Sequence, residues 1–175
     1  MPGPVSSGLV LTAHPPGDPS WRERLAVHLL RLDQESRLQR FLTWSSDAAV
    51  ARYAATTGPT VVVDAARGHQ LCGIAEVHIR AGHRPVAEIA LSVEEENRRA
   101  GIGAALFDKA LRESRLRGVW EIWIIYLKTN EAIRRISERA GFRRIPDRDP
   151  SAVQALVGRP PVPDELRLPG APARD

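Results

Sequence analysis

The stretch from Val86 to Leu127 constrains the fold more than any other part of the chain. It opens with strand-like residues, Val86 to Val93. A polar run, Glu94-Glu95-Glu96-Asn97-Arg98-Arg99-Ala100, then leads to Gly101-Ile102-Gly103. There the period lengthens to that of a helix. Ile102, Leu106 and Ala110 recur on one side, with Phe107 and Leu111 beside them. Gly118 is placed to end this helix in the left-handed conformation. Trp120 to Leu127 is apolar on both alternating faces, as a central strand is. Strand, glycine loop, helix, strand makes a crossover unit, so the two strands should lie parallel through a right-handed connection.

The flanking sequence adds strands and helices around this unit. Gly8 to Ala13 reads as a first strand, broken by Pro15-Pro16-Gly17-Asp18-Pro19. From Ser20 the pattern is helical. Leu25, Leu29 and Leu32 mark one piece, Leu38, Phe41 and Leu42 a second, and Ser46 or Asp47 caps a third running to Tyr53. His28, in the first piece, reads as a solvated or core-edge histidine. After Thr56-Thr57-Gly58-Pro59 the period becomes two. Strands over Thr60–Asp64, Leu71–Arg80 and Val86–Val93, with turns at Ala66–His69 and Gly82–Pro85, predict an antiparallel meander. In its second strand Ala75, Val77 and Ile79 share one face, and Glu76, His78 and Arg80 the other. Asn130 to Ala140 is another helix, closed by Gly141, and Phe142–Ile145 and Ala152–Val157 are short strands. The fold class is α+β with a mixed sheet. One domain spans residues 9–158, between a loose segment 1–8 and a Pro-rich tail 159–175 that reads as disordered.

Bulk properties narrow the function. With 175 residues, 43% of them apolar, the chain can build one real core. Its net charge of +4 favours an anionic partner, and nearly all its cations are arginines. They are scattered, with no basic stripe interleaved with aromatics, so nucleic acid is not an expected partner. The lone Cys72 permits no intrachain disulfide and reads as a buried strand thiol. Met1-Pro2-Gly3-Pro4 does not resemble a secretory signal, and no apolar run approaches the roughly 18 residues of a membrane span. The expectation is a cytoplasmic protein with no membrane partner and no metal.

Arg98 to Gly103 is the strongest candidate site. A loop entering a helix there meets N–H groups that have no intrahelical partner, and the helix dipole adds roughly half a positive charge. Gly101 and Gly103 let a ligand approach the backbone, and Arg98 and Arg99 add charge. Such a place suits a pyrophosphate. A dinucleotide fold is the rival, and the spacing disfavours it. Leu106 stands where its third glycine belongs, Glu94 to Ala100 separate strand from glycine, and Glu121 begins the next strand instead of ending it.

The loop R-x-x-G-x-G, followed by the stretch Asn130-Glu131-Ala132-Ile133-Arg134-Arg135-Ile136-Ser137-Glu138-Arg139-Ala140-Gly141-Phe142, resembles the two motifs of the GNAT acetyltransferases. The match is strongest from Val86 to Phe142, and Leu32 to Phe41 resembles the early helices of some members. The resemblance implies a GNAT fold and acetyl-CoA as cosubstrate. Its pyrophosphate would lie on Arg98, Arg99, Ala100, Gly101, Ile102, Gly103 and Ala104. Backbone at Leu91, Ser92 and Val93 would meet the pantetheine and thioester, and Asn130 and Ile133 would flank them. The acceptor would be an amine, of a protein lysine or a small molecule. Homodimerisation stays open.

The reaction needs a base, because a lysine-like amine with a pKa near 10.4 is protonated at neutral pH. Glu88, in Ala87-Glu88-Ile89-Ala90, resembles the base of bacterial protein-lysine acetyltransferase domains, and its apolar neighbours would raise its pKa. Glu76 and His78 are second choices. In many members a tyrosine of the second motif protonates the thiolate. Ser137 occupies that position here and is a poorer acid, leaving water, unassisted departure or Tyr126. That departure keeps an alternative in view: a non-catalytic domain that binds acetyl-CoA as a regulatory or interaction module.

Overall fold

A computed structural model of the chain describes residues 8–145 and 149–158. Residues 1–7 of the predicted loose segment 1–8, and the predicted tail 159–175, lie outside the described ones. The described chain opens with β1 (Leu9–His14), followed by helices α1 (Trp21–Arg31), α2 (Gln34–Phe41) and α3 (Asp47–Thr56). Strands β2 (Val61–Arg67), β3 (Gln70–Arg80) and β4 (Val86–Val93) come next, then α4 (Ile102–Leu116) and β5 (Glu121–Leu127). The last elements are α5 (Glu131–Arg139), β6 (Arg143–Ile145) and β7 (Ala152–Val157).

The strands form one sheet in the order β1-β2-β3-β4-β5-β7-β6. The meander β2-β3-β4 is antiparallel, and the strands joined through α4, β4 and β5, are parallel. This is the mixed α+β sheet that the period changes imply. One correction concerns β2. It runs on to Arg67, and the turn shrinks to Gly68-His69, with Gly68 at φ 58°. A register shift between Ala65 and Ala66 lets Ala66 and Arg67 keep pairing with Leu71 and Gln70, which a reading by alternation alone would miss.

Alternation along the strands sends side chains into two layers. Val61, Val63, Ala75, Val77, Ala87 and Ile89 face α4, whose Ile102, Leu106, Phe107 and Ala110 are buried against them. Phe142, just after the left-handed Gly141, packs its ring on Phe107 with centroids 5.4 Å apart, tying the end of α5 to α4. On the opposite face Val62 and Ile74 meet Trp21, Leu25 and Leu29 of α1 and Val50 and Ala54 of α3. α4 on one face, and α1 and α3 on the other, thus each bury one apolar stripe, and the sheet between them is covered on both sides.

Candidate active site

β4 and β5 part company early. They pair only from Val86 to Glu88 against Glu121 to Trp123, while β4 stays on β3 as far as Val93. The separation opens a cleft of about 730 Å³ between them, a size suited to a small-molecule ligand. The Glu94 N–H donates to Cys72 O at 3.0 Å, continuing the β3–β4 ladder. Ladder bonds alternate, so Ser92 and Ala90 also direct their backbone groups toward β3. Ile89, Leu91 and Val93 then direct theirs to the side that β5 has left. One wall of the cleft is thus an open strand edge.

The glycine loop closes one end. After a turn of 3-10 helix at Glu95–Asn97, Arg99 at φ 61° and Gly101 at φ 77° swing the chain into α4. Gly101 is the N-cap, and no side chain caps this terminus. Ala105 N–H donates to Gly101 O at 3.0 Å. The N–H groups of Ile102, Gly103 and Ala104, ahead of that first helical bond, have no intrahelical acceptor and form a positive helix end that attracts anions. The two arginines differ. Arg98 reaches away to α2, with Nη2 3.2 Å from Asp33 Oδ2 and donating also to Ser36 Oγ. Arg99 lines the cleft and has no ion pair or hydrogen bond among the described residues.

α5 and α2 complete the walls. Asn130 caps α5, its Oδ1 accepting the Ile133 N–H at 3.2 Å, and both residues line the cleft. From α2 come Glu35, Ser36, Gln39 and Arg40. Gln39 Nε2 donates to Thr129 Oγ1 at 3.2 Å, bridging α2 to the loop before α5. The Arg40 side chain is buried, its guanidinium 5.1 Å from the Phe41 ring centroid and 5.4 Å from that of Tyr53. It donates to Glu76 Oε1, and to Tyr53 Oη at 3.0 Å, while Tyr53 donates to Glu76 Oε2 at 2.9 Å. Burial alone would raise the Glu76 carboxyl. Arg40, helped by His78 and Tyr53, outweighs it and holds Glu76 at about 2. That makes Glu76 a structural anion rather than a base for neutral pH.

The structure gathers most of the sequence-predicted ligand residues into this cleft. Leu91, Ser92 and Val93 line it from β4, and Arg98, Arg99, Gly101, Ile102, Gly103 and Ala104 from the loop and α4. Asn130 and Ile133 line it from α5. Ala100 is exposed and lies outside the lining. Both expected catalytic side chains also lie outside it. Glu88 is exposed at the fork: of its apolar neighbours, Ile89 points through the sheet to α4, and the small Ala90, on Glu88's own face, does not cover it. Ser137 is 1% exposed, and its Oγ donates to Arg134 O at 2.9 Å, so its hydroxyl is tied to the helix backbone. Tyr126, by contrast, lines the cleft at 2% exposure, and its hydroxyl has no hydrogen-bond partner among the described residues.

Sequence reasoning missed the polar contacts behind β4. His28 is fully buried, with Nε2 2.8 Å from Ser92 Oγ and Nδ1 3.2 Å from Glu94 Oε1. It is no solvated histidine. Its partners lie 64 and 66 positions away, so no local pattern announces them. Among the described residues no cluster of His, Cys, Asp or Glu is built to hold a metal, and no helix is long and apolar enough to cross a membrane.

This architecture recurs in solved proteins. The GNAT domain of the Streptomyces lividans PAT superposes with a TM-score of 0.66 at 21% identity, covering 84% of this chain and 89% of that one. The Escherichia coli ribosomal-protein-S18-alanine N-acetyltransferase gives 0.63 at 16% identity, covering 92% of this chain and 100% of its own. The IAA acetyltransferase of Bacillus cereus gives 0.60 at 15% identity, covering 87% and 100%. Identities this low establish a common fold. No curated protein matches the sequence. The sequence profile of the acetyltransferase (GNAT) family matches residues 26–142, which takes in α2, the forked strands, the glycine loop and the capped helix α5. The chain belongs to the acetyltransferase (GNAT) family.

Proposed function

We propose that the chain moves the acetyl group of acetyl-CoA onto an amine, of a protein lysine or a small molecule, by direct attack assisted by a general base. The observation that carries this reading is the juxtaposition of an uncapped helix N-terminus with an open strand edge in one cleft. The first binds a pyrophosphate through N–H groups and dipole. The second offers the alternating donors and acceptors that an extended amide-bearing arm pairs with. A chain of phosphates followed by two amides is the chemistry of coenzyme A, and 730 Å³ is room for its arm and an acetyl group.

Glu88 is the proposed base. It stands at the fork, facing the α2 side of the sheet as Ala90 and Ser92 do, where an amine would approach. Being outside the cleft lining, it would take the proton through an intervening water. The Leu91 N–H, unpaired on the cleft side, is placed to stabilise the oxyanion. Tyr126 is better positioned than Ser137 to protonate the departing thiolate. Glu88→Gln should lower kcat/KM for the amine on the order of 100-fold while leaving the melting temperature unchanged. Full kcat/KM in that variant would remove Glu88 from the mechanism. The binding-only alternative draws on one specific feature, the absence of Glu88 and Ser137 from the cleft lining. A thiol-release assay over a panel of amines and lysine peptides separates the two. Acceptor-dependent release supports the enzyme; binding of acetyl-CoA with no release on any acceptor supports the module.

A further inference from the structure

Ser92, His28 and Glu94 form a line of contacts that direct transfer to an amine does not use. The Glu94 carboxylate at His28 Nδ1, 3.2 Å away, places the ring proton on that nitrogen. His28 Nε2 then offers its lone pair to Ser92 Oγ at 2.8 Å, and the hydroxyl donates. Arg31 Nη2 lies 2.7 Å from the same Glu94 oxygen. Burial would raise the Glu94 carboxyl, but His28 and Arg31 outweigh it and hold it below the usual range, as an anion. The three side chains are nearly closed off: His28 is 0%, Glu94 7% and Ser92 9% exposed. Ser92 nevertheless lines the cleft. Its chain neighbours Leu91 and Val93 turn their N–H groups toward that cleft.

A hydroxyl bonded to an imidazole, an imidazole oriented by a carboxylate, and backbone donors alongside make the constellation of an activated serine nucleophile. A purely structural tie between α1 and β4 does not require it. Trp21, Leu25 and Leu29 already dock α1 on the sheet through apolar contacts, and burying a polar triple costs desolvation.

We infer that Ser92 is itself an acetyl acceptor in this cleft, so that acetyl-CoA is hydrolysed through an acetyl-Ser92 ester when no amine is bound. The inference rests on the reading that the cleft holds acetyl-CoA. As Ser92 Oγ bonds to the thioester carbon, its proton passes to His28 Nε2. The C–S bond breaks, and Nε2 returns the proton to the thiolate, releasing the free thiol. A water then gives a proton to Nε2 and bonds to the ester carbon. The C–Oγ bond breaks, Ser92 regains its proton, and acetate leaves with one proton released to solvent. Ser92 and His28 touch the reacting atoms in this sequence, and Glu94 positions His28.

The test uses the full chain with acetyl-CoA and no amine. Thiol release is followed in time, and acid-quenched samples are analysed by intact mass and peptide mapping. The expected result is one acetyl group on the peptide containing Ser92, with thiol release continuing past one equivalent. Ser92→Ala should lose the acetyl group and slow release at least tenfold. Glu94→Gln should slow both, and Glu94→Asp should recover part of the loss, which a packing role for Glu94 would not produce. Thermal stabilisation by acetyl-CoA shows that each variant is folded. Stabilisation of the wild type without an acetyl ester, an ester on another residue, or release unchanged in Ser92→Ala would each overturn the inference while leaving the cleft reading standing. If acetyl-CoA gives no stabilisation at saturation, both fall.

Discussion

Gly73 of β3 lies against both β4 and α4. A Cβ there would lie 2.9 Å from Ser92 O and 3.0 Å from Leu106 Cδ1. The first neighbour is backbone of the strand that carries the open edge, and the second is a fully buried side chain of α4, so either can yield only by shifting packed structure. Gly73→Ala should therefore destabilise by about 1–3 kcal/mol, read from urea midpoints. A neutral outcome would show that the two strands have slack. Glu76 gives a second test at this scale. Its pKa falls from an ordinary 4.5 to about 2 on folding. The stability it contributes is therefore present above pH 4.5 and lost as the pH falls toward 2. Glu76→Gln removes that dependence from the acid limb of a urea-midpoint series. It also leaves Arg40 buried without its anion, a loss of about 3–5 kcal/mol. An unchanged acid limb would remove Glu76 from the cause. The sequence placed Glu76 beside His78 on one strand face, but its partner Arg40 lies 36 positions away on another element, and nothing local identifies it.

The glycine loop and α2 work as a pair of elements. The sequence made both arginines phosphate ligands because both precede the helix. In the fold, Asp33 caps α2 through the Ser36 N–H at 2.8 Å, and Arg98 joins that cap. Of these two arginines, only Arg99 is left on the cleft side without an ion pair or hydrogen bond among the described residues. Arg99→Ala should raise the Kd for acetyl-CoA by roughly tenfold, the value of one charge-assisted contact. Arg98→Ala should change that Kd less and raise the acceptor KM more, since it loosens the helix that supplies Gln39 and Arg40 to the cleft. Equal effects on Kd would mean that Arg98 leaves α2 for the phosphates. The elements themselves were legible because their signals are local. The αL glycines 101, 118 and 141 bound α4 and α5 as their positions implied. Burial was less legible: Glu88 has the apolar neighbours Ile89 and Ala90 in sequence, but Ile89 faces through the sheet and Ala90 is too small to cover it.

At the scale of the whole molecule, one topological fact makes the cleft. A parallel pair joined through α4 holds together for three residues and then opens, and β5 finds β7 along its length instead. Motif spacing located the loop and α5 on either side of that opening, and so named many of the residues that line it. The particular α2 residues that line the cleft were not legible, because they carry no motif and reach it only through the tertiary fold. The description of the cleft as a coenzyme A site stands or falls on binding. Calorimetric titration of the full chain with acetyl-CoA should give saturable one-to-one binding. A thermal scan at a hundredfold excess over Kd should then show about 2.7 kcal/mol of added stability. Absence of both heat and stabilisation at millimolar acetyl-CoA would contradict the account at its centre.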